Sequence, residues 1–166
     1  MDTKTIGPTI HEGLPDLRDG APPDRMWYMT PVPCRMLKHL MGLSKAAVYR
    51  MLTRGDLTVA TIFNTKYVRL GELPQTVRCY YVELLFNPEA LFESENIIYR
   101  PNTILKATGI SKRMLYYNIK TGRIKVEYLP SGRYIYPHWG LKEEWKDDVR
   151  DQYFYETYGD NENGTF

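Results

Sequence analysis

The sequence has 166 residues, 43% of them hydrophobic and 25% charged, which is typical of a globular protein of one ordinary domain or two small ones. No run approaches the roughly 18 apolar residues of a membrane span, and residues 1–20 lack the apolar core of a secretory signal. Two cysteines without CxxC spacing and three scattered histidines exclude a zinc site, which needs about four ligands. We therefore expect free thiols, no cofactor, no membrane partner and a cytoplasmic location, nucleoid-associated in a bacterium or phage-infected cell.

The net charge of +2 is unevenly distributed along the chain. Residues 34–139 carry 16 basic and 7 acidic side chains, a net charge of +9. Residues 1–33 carry a net charge of −2, and residues 140–166 carry −5. A basic middle between acidic ends favours a body that binds a polyanion, flanked by tails.

The first predicted segment, residues 1–33, contains six prolines and little periodicity. Proline fixes the backbone without donating a hydrogen bond, and the segment offers too few regularly spaced apolar residues for an amphipathic element. This composition predicts a flexible or extended N-terminal arm.

The first unit, residues 34–73, begins with a predicted helix over 34–41. Gly42 ends this helix, because a left-handed backbone costs glycine no Cβ clash. Ser44 is the predicted N-cap of a second helix from about Lys45 to Thr53, since its hydroxyl can accept a free backbone N–H. The inner face of the second helix is predicted to carry Val48, Met51 and Leu52.

The first unit is predicted to end in a β-hairpin. Gly55 terminates the second helix in the same way as the preceding glycine. Two β-rich runs follow, over residues 57–63 and 67–70, and they flank a turn at Asn64 and Thr65.

Residues 74–99 connect this unit to the next. The stretch 76–86 is strongly apolar and fits either a buried helix or a buried strand, and 88–95 fits a helical turn or short helix. Together they are expected to give the units a shared core, because isolated units of this size would be only marginally stable.

The second unit, residues 100–141, repeats the first. Residues 37–70 align without a gap to residues 104–137, and seven of the 34 pairs are identical. The identical pairs are Gly42/Gly109, Ser44/Ser111, Lys45/Lys112, Tyr49/Tyr116, Gly55/Gly122, Val59/Val126 and Tyr67/Tyr134.

The repeat predicts the same elements in the same order. These are a helix over 104–108, a turn at Gly109, a helix over 112–120 capped by Ser111, and a hairpin over 124–136 that turns at 130–132. Helix, tight turn, capped helix and hairpin together make a winged helix-turn-helix.

The segment after the second unit, residues 142–166, is acidic and rich in aromatic residues. A helix is plausible around 141–145, and the chain from Asp147 onward has two interpretations. It is either a solvated acidic tail, or a docking peptide for a partner protein or an autoinhibitory mimic of DNA charge.

The sequences GLSKAAVYRMLTRGDL at 42–57 and GISKRMLYYNIKTGRI at 109–124 resemble the motif of phage excisionase and MerR-type DNA-binding domains. They share a small hydrophobic residue, a capping serine, an aromatic residue in mid-helix, and a glycine with an apolar residue before the wing. The resemblance implies a mainly α fold with small β-hairpin wings (α+β), built as two tandem winged helix-turn-helix units. It also implies binding of double-stranded DNA, with the second helix of each unit in the major groove.

Helical spacing places the candidate contacts on the outer faces of these second helices. The first unit presents Lys45, Ala46, Tyr49, Arg50 and Thr53, and the second presents Lys112, Arg113, Tyr116, Tyr117 and Lys120. Lys66 and Arg133 lie near the predicted wing tips.

These side chains suit different contacts. Arg50 and Arg113 match the two acceptors of guanine, and the lysines suit a phosphate or a base edge. Tyr49 and Tyr116 could donate to phosphate or act as half-buried spacers between helix and wing. The first unit presents Ala46 and Ala47 where the second presents Arg113 and Met114, so the units are expected to read different sequences.

Three function classes follow. The leading prediction is a sequence-specific DNA-binding protein, either a transcription regulator or an accessory factor of phage recombination or packaging. The alternative is a structural or adaptor protein whose units and acidic tail bind protein. No P-loop, GxSxG or HExxH motif occurs, so an enzyme is not expected. The oligomeric state stays open.

Overall fold

The computed structural model describes residues 29–159, which form a mixed α+β fold with six α-helices and two three-stranded antiparallel sheets. The predicted α+β class is therefore confirmed. Residues 1–28 of the predicted arm and 160–166 of the predicted tail lie outside the described range.

The first unit forms two helices and a hairpin, with a short strand in front of them. The elements are β1 (Pro31–Pro33), a 3-10 helix (Cys34–Met36), α1 (Leu37–Met41), α2 (Lys45–Arg54), β2 (Val59–Ile62) and β3 (Thr65–Arg69). The strands lie in the order β1-β3-β2. Ser44 caps α2 as predicted, because its hydroxyl oxygen accepts the backbone N–H of Ala47 at 3.1 Å.

The second unit repeats this order of elements. They are β4 (Ile98–Tyr99), α4 (Pro101–Thr108), α5 (Lys112–Lys120), β5 (Glu127–Tyr128) and β6 (Tyr134–Pro137), and the strands lie in the order β4-β6-β5. Ser111 caps α5 as predicted, accepting the N–H of Met114 at 3.1 Å. The first helix begins three residues earlier than predicted, because Pro101 suits the first helical position.

The strand β1 corrects the predicted arm at its C-terminal end. Val32 is fully buried and pairs with Val68 of β3, so the arm joins the sheet at residues 31–33. The prolines at both ends of β1 are tolerated because this strand lies at the sheet edge, where a missing N–H breaks no inner ladder.

The first hairpin turns one residue earlier than predicted. Ile62 pairs with Thr65, which leaves Phe63 and Asn64 as a two-residue turn with φ values of 49° and 70°. A tight hairpin of this kind needs positive φ at both central residues. Asn64 fits that requirement, but phenylalanine does not signal it, so the sequence favoured the wrong pair.

The second hairpin shifts the register of the repeat. Val32 pairs with Val68 in the first sheet. The equivalent positions in the gap-free alignment of the two units are Tyr99 and Ile135, so these two residues are expected to pair. Tyr99 instead pairs with Tyr136. The cause is the loop at 130–132, which has one residue more than the first hairpin turn and displaces β6 by one position.

The connecting segment forms a buried helix, α3 (Gln75–Phe86), and a 3-10 helix (Pro88–Phe92). Helix, and not strand, is therefore the correct alternative for 76–86. Val77 and Tyr80 are fully buried, and α3 contacts both α1 of the first unit and β4 of the second. The buried residues of both units form one continuous hydrophobic cluster.

The predicted acidic tail is wrong over most of its length. Glu143–Tyr158 is a helix, α6, that packs on α4. Trp145, Val149 and Tyr153 are spaced four apart and so share one face; Val149 is fully buried and Tyr153 is 5% exposed. The acidic residues lie on the remaining faces, which is why this segment resembled a solvated tail.

Buried hydroxyl, imidazole and guanidinium groups join α6 to the rest of the core. The Tyr153 and Tyr80 hydroxyls lie 2.8 Å apart. Arg150 donates to Nε2 of His138 at 3.0 Å, so this imidazole carries its proton on Nδ1 and donates it to the Tyr99 hydroxyl oxygen at 2.6 Å. These polar groups thereby find hydrogen-bond partners within the protein, as buried polar groups require.

The two units meet at Gly42. Its backbone is left-handed, with φ of 65°, and a Cβ there would lie 2.5 Å from the carbonyl oxygen of Tyr99 in β4. The equivalent Gly109 has a similar φ of 74° but nothing within 4 Å of its Cβ position. Only the first of the two turns is therefore in close contact with the other unit.

Gly42→Ala is expected to lower the free energy of unfolding more than Gly109→Ala. Both substitutions place alanine in left-handed backbone, at a cost of about 1 to 2 kcal/mol. Only the change at Gly42 also drives a methyl group into a backbone carbonyl, which adds about 1 to 3 kcal/mol of overpacking. Urea unfolding of the two variants measures the difference, and equal losses would contradict the close contact.

Stability is expected to fall below about pH 6.5 because of His138. Burial, with the charge of Arg150 second, lowers the pKa of His138 to about 4. The unfolded chain then binds a proton on this residue that the folded chain does not, so the free energy of unfolding decreases as the pH falls from about 6.5 to 4. The full effect is about 3 kcal/mol.

Urea unfolding across this pH window tests the expectation, with His138→Gln as the comparison. The variant removes the titrating group while keeping a donor and an acceptor, so its stability should vary less with pH. An NMR titration of the His138 ring gives the pKa directly, and a value near 6.5 would refute the assignment.

Candidate nucleic-acid interface

The outer face of α2 presents the predicted contact residues of the first unit. Lys45, Ala46 and Arg50 are exposed, while Val48 and Met51 are buried beneath them. Tyr49 in the same helix is 67% exposed and is therefore not a half-buried spacer.

Ala47 corrects the predicted outer face of the first unit. It is 1% exposed and belongs to the core, although it was assigned to the surface beside Ala46. Its backbone N–H donates to the Ser44 hydroxyl oxygen, so the residue lies in the first turn of α2. Helical spacing alone did not indicate that the rest of the fold covers this turn.

The outer face of α5 carries the corresponding residues of the second unit. All five predicted residues are exposed, namely Lys112, Arg113, Tyr116, Tyr117 and Lys120. Leu115 is fully buried, and Asn118 is 3% exposed, with its side-chain N–H donating to the Met114 carbonyl at 2.8 Å. The helix thus has one inner and one outer face, as its spacing predicted.

The tyrosines of α5 contact other parts of the second unit. The Tyr116 ring meets Tyr134 of β6 edge-on, with centroids 6.4 Å apart, so it does lie between helix and hairpin while remaining 45% exposed. The Arg123 guanidinium lies over the Tyr117 ring at 5.8 Å. Arg123 was not predicted, because its position beside this helix arises only from the turn after α5.

A basic residue lies near the tip of each hairpin, and an aromatic residue lies at the tip of the first. Lys66 on β3 and Arg133 directly before β6 are both exposed, as predicted. Phe63 at the first tip is 96% exposed, which the sequence did not indicate because the turn was placed one residue too late. Each hairpin therefore brings a cation next to its tip.

The cations of these faces are available to a ligand. Among the described residues, none of the seven predicted lysines and arginines forms a salt bridge. Basic residues elsewhere do form such pairs: Arg54 with Asp56 at 3.0 Å and Arg69 with Glu72 at 3.2 Å. The surface of α2, α5 and the hairpin tips is therefore positive, and no salt bridge within residues 29–159 offsets these charges.

A groove of about 590 Å³ lies between the two units. Among the described residues, four cations and no acidic residue line it. The cations are Lys38, Arg100, Lys112 and Arg133. The last two were predicted as contacts of the second unit. Lys38 in α1 and Arg100 before α4 were missed, because only the packing of one unit on the other brings them together.

The part of the chain that the structure describes holds neither a cluster of metal-ligating residues nor a helix that could cross a membrane. Residues 29–159 contain no cluster of histidine, cysteine and acidic residues that could hold a metal ion. None of their helices is long and apolar enough to cross a membrane. Cys34 and Cys79 are not joined in a disulfide, and burial raises the pKa of Cys34, with the Lys66 charge opposing this.

No protein-family model matches the chain, and comparison with curated proteins and with solved structures also gave no match.

Proposed function

We propose that the chain binds double-stranded DNA through two tandem winged helix-turn-helix units. The observation that carries the proposal is the basic surface formed by α2, α5 and the hairpin tips. All twelve predicted contact residues are exposed on it, and its seven cations have no salt-bridge partner among the described residues. Such a surface neutralises phosphates and releases their counterions.

In this proposal α2 and α5 enter the major groove, which is wide enough for a helix. Arg50 and Arg113 read guanine, because a guanidinium can donate to its N7 and O6 together. Lys45 and Lys112, in the first turns of the helices, contact phosphate or a base edge. Lys66 and Arg133 contact the backbone beside the hairpins.

The biological role that fits is regulation of transcription, or an accessory role in recombination or packaging of a phage or mobile element. Both need specific DNA binding by a chain without its own catalytic centre. A chain with two reading helices can cover a bipartite site alone, as two subunits of a dimer do.

A second candidate function is binding of a partner protein through α6. Its outer face exposes Asp147, Asp148, Asp151 and Tyr155, and the tyrosine is 69% exposed. Aromatic residues are enriched in protein interfaces. This function is compatible with DNA binding, because α6 belongs to neither basic face.

Selection from a pool of random duplexes is expected to enrich a bipartite sequence. Arg50→Ala and Arg113→Ala should each weaken binding to it by about 1 to 3 kcal/mol, or roughly 5- to 150-fold, and relax the preference in one half of the site. The loss follows from the two hydrogen bonds that a guanidinium makes to guanine.

Lys106→Ala is the matched control, because Lys106 is an exposed cation of α4 outside both reading faces. It should leave affinity and sequence preference unchanged. Weak binding without enrichment, insensitive to salt, would refute DNA binding and favour the partner-protein function.

A further inference from the structure

We propose that the groove between the two units binds phosphate groups and, in a complex with DNA, holds a stretch of the phosphodiester backbone. This inference rests on the proposed function and adds a site to it. The groove is lined by Lys38, Arg100, Lys112 and Arg133, and no acidic residue within 29–159 lines it. Four like charges around one concave space repel one another, and an anion between them relieves that repulsion.

The helices around the groove add to the same potential. Its lining includes Ser44, Pro101 and Lys112, which are the N-cap of α2 and the first residues of α4 and α5. A helix N-terminus carries a partial positive charge and backbone N–H groups without partners in the helix. Three such ends therefore border the space that the four cations surround, and this combination suits phosphate.

The size and chemistry of the lining favour a chain of phosphates over a single small anion. A volume of about 590 Å³ is within the roughly 300 to 1,000 Å³ of sites that hold whole small molecules. Tyr116, Tyr134 and Asn102 also line it, and they offer hydroxyl and amide donors between the cations. A sugar–phosphate segment alternates charged phosphates with uncharged sugars, which matches a lining of cations with uncharged donors between them.

The continuity of the groove with the proposed reading surface identifies DNA as the source of the phosphates. Lys112 and Arg133 belong both to the groove and to the exposed contact set of the second unit. Lys38 and Gly42 come from the first unit, so a backbone lying here touches both units at once. The groove would thereby fix the register of both helices on one duplex.

The test is the salt dependence of binding to a labelled random-sequence duplex. Each phosphate contact contributes about −0.9 to the slope of log K against log salt concentration. Lys38→Gln and Arg100→Gln are each expected to make the slope shallower by about 0.9, equally for every sequence. Lys106→Gln should not change it, and thermal unfolding of all three variants verifies that they are folded.

The outcomes separate the two proposals. Unchanged slopes in both groove variants, while Arg50→Ala and Arg113→Ala weaken binding, would overturn the groove inference and leave DNA binding intact. Absence of salt-dependent duplex binding by the unaltered chain would overturn both DNA binding and the assignment of the groove to the DNA backbone. In that case a melting temperature raised by inorganic pyrophosphate, with no such rise in Arg100→Gln, would assign the groove to a free phosphorylated compound instead of DNA.

Discussion

The contact between Gly42 and the Tyr99 carbonyl sets the relation of the two units. A side chain at this position would lie 2.5 Å from a backbone oxygen, so only glycine allows the turn between α1 and α2 to reach β4. The residue is also left-handed, which permits the helix to end there. One glycine thus stops a helix and seats the first unit against the second, and the groove lies directly beside it.

The helices α3 and α6 pack against the two units, so that the buried residues form one core. α3 touches an element of each unit, and α6 packs on α4. The Tyr80–Tyr153 hydroxyl pair then joins α3 to α6, and Arg150 joins α6 to the second unit through His138. Because Arg150 also donates to the carbonyls of Leu91 and Ser94, its charge is compensated where it is buried.

The sequence predicted the features that depend on neighbouring residues. Ser44 and Ser111 cap their helices, and Gly42 and Gly109 end the preceding ones, because capping and left-handed backbone are decided within a few residues. The outer faces of α2 and α5 followed from helical spacing in the same way. The prediction that Ala47 is exposed was wrong, because its burial depends on parts of the fold outside its own helix.

The features that were missed depend on distant parts of the chain. β1 is a strand only because β3 offers it an edge, and nothing local in a proline-rich segment indicates this. Lys38 of the first unit and Arg100 of the second line one groove only because the units pack together. α6 was a different kind of failure: Trp145, Val149 and Tyr153 repeat every four residues, but the surrounding acidic residues obscured that period.

The two units share the residues that cap and end their helices, and they differ on the exposed faces that the proposed function assigns to DNA. The capping serines and turn glycines recur, whereas Ala46 corresponds to Arg113, and Arg50 to Tyr117. A homodimer presents two identical surfaces and so matches a palindromic site. This chain fixes two different surfaces on one core, and the proposed function therefore requires a bipartite site whose halves are unlike.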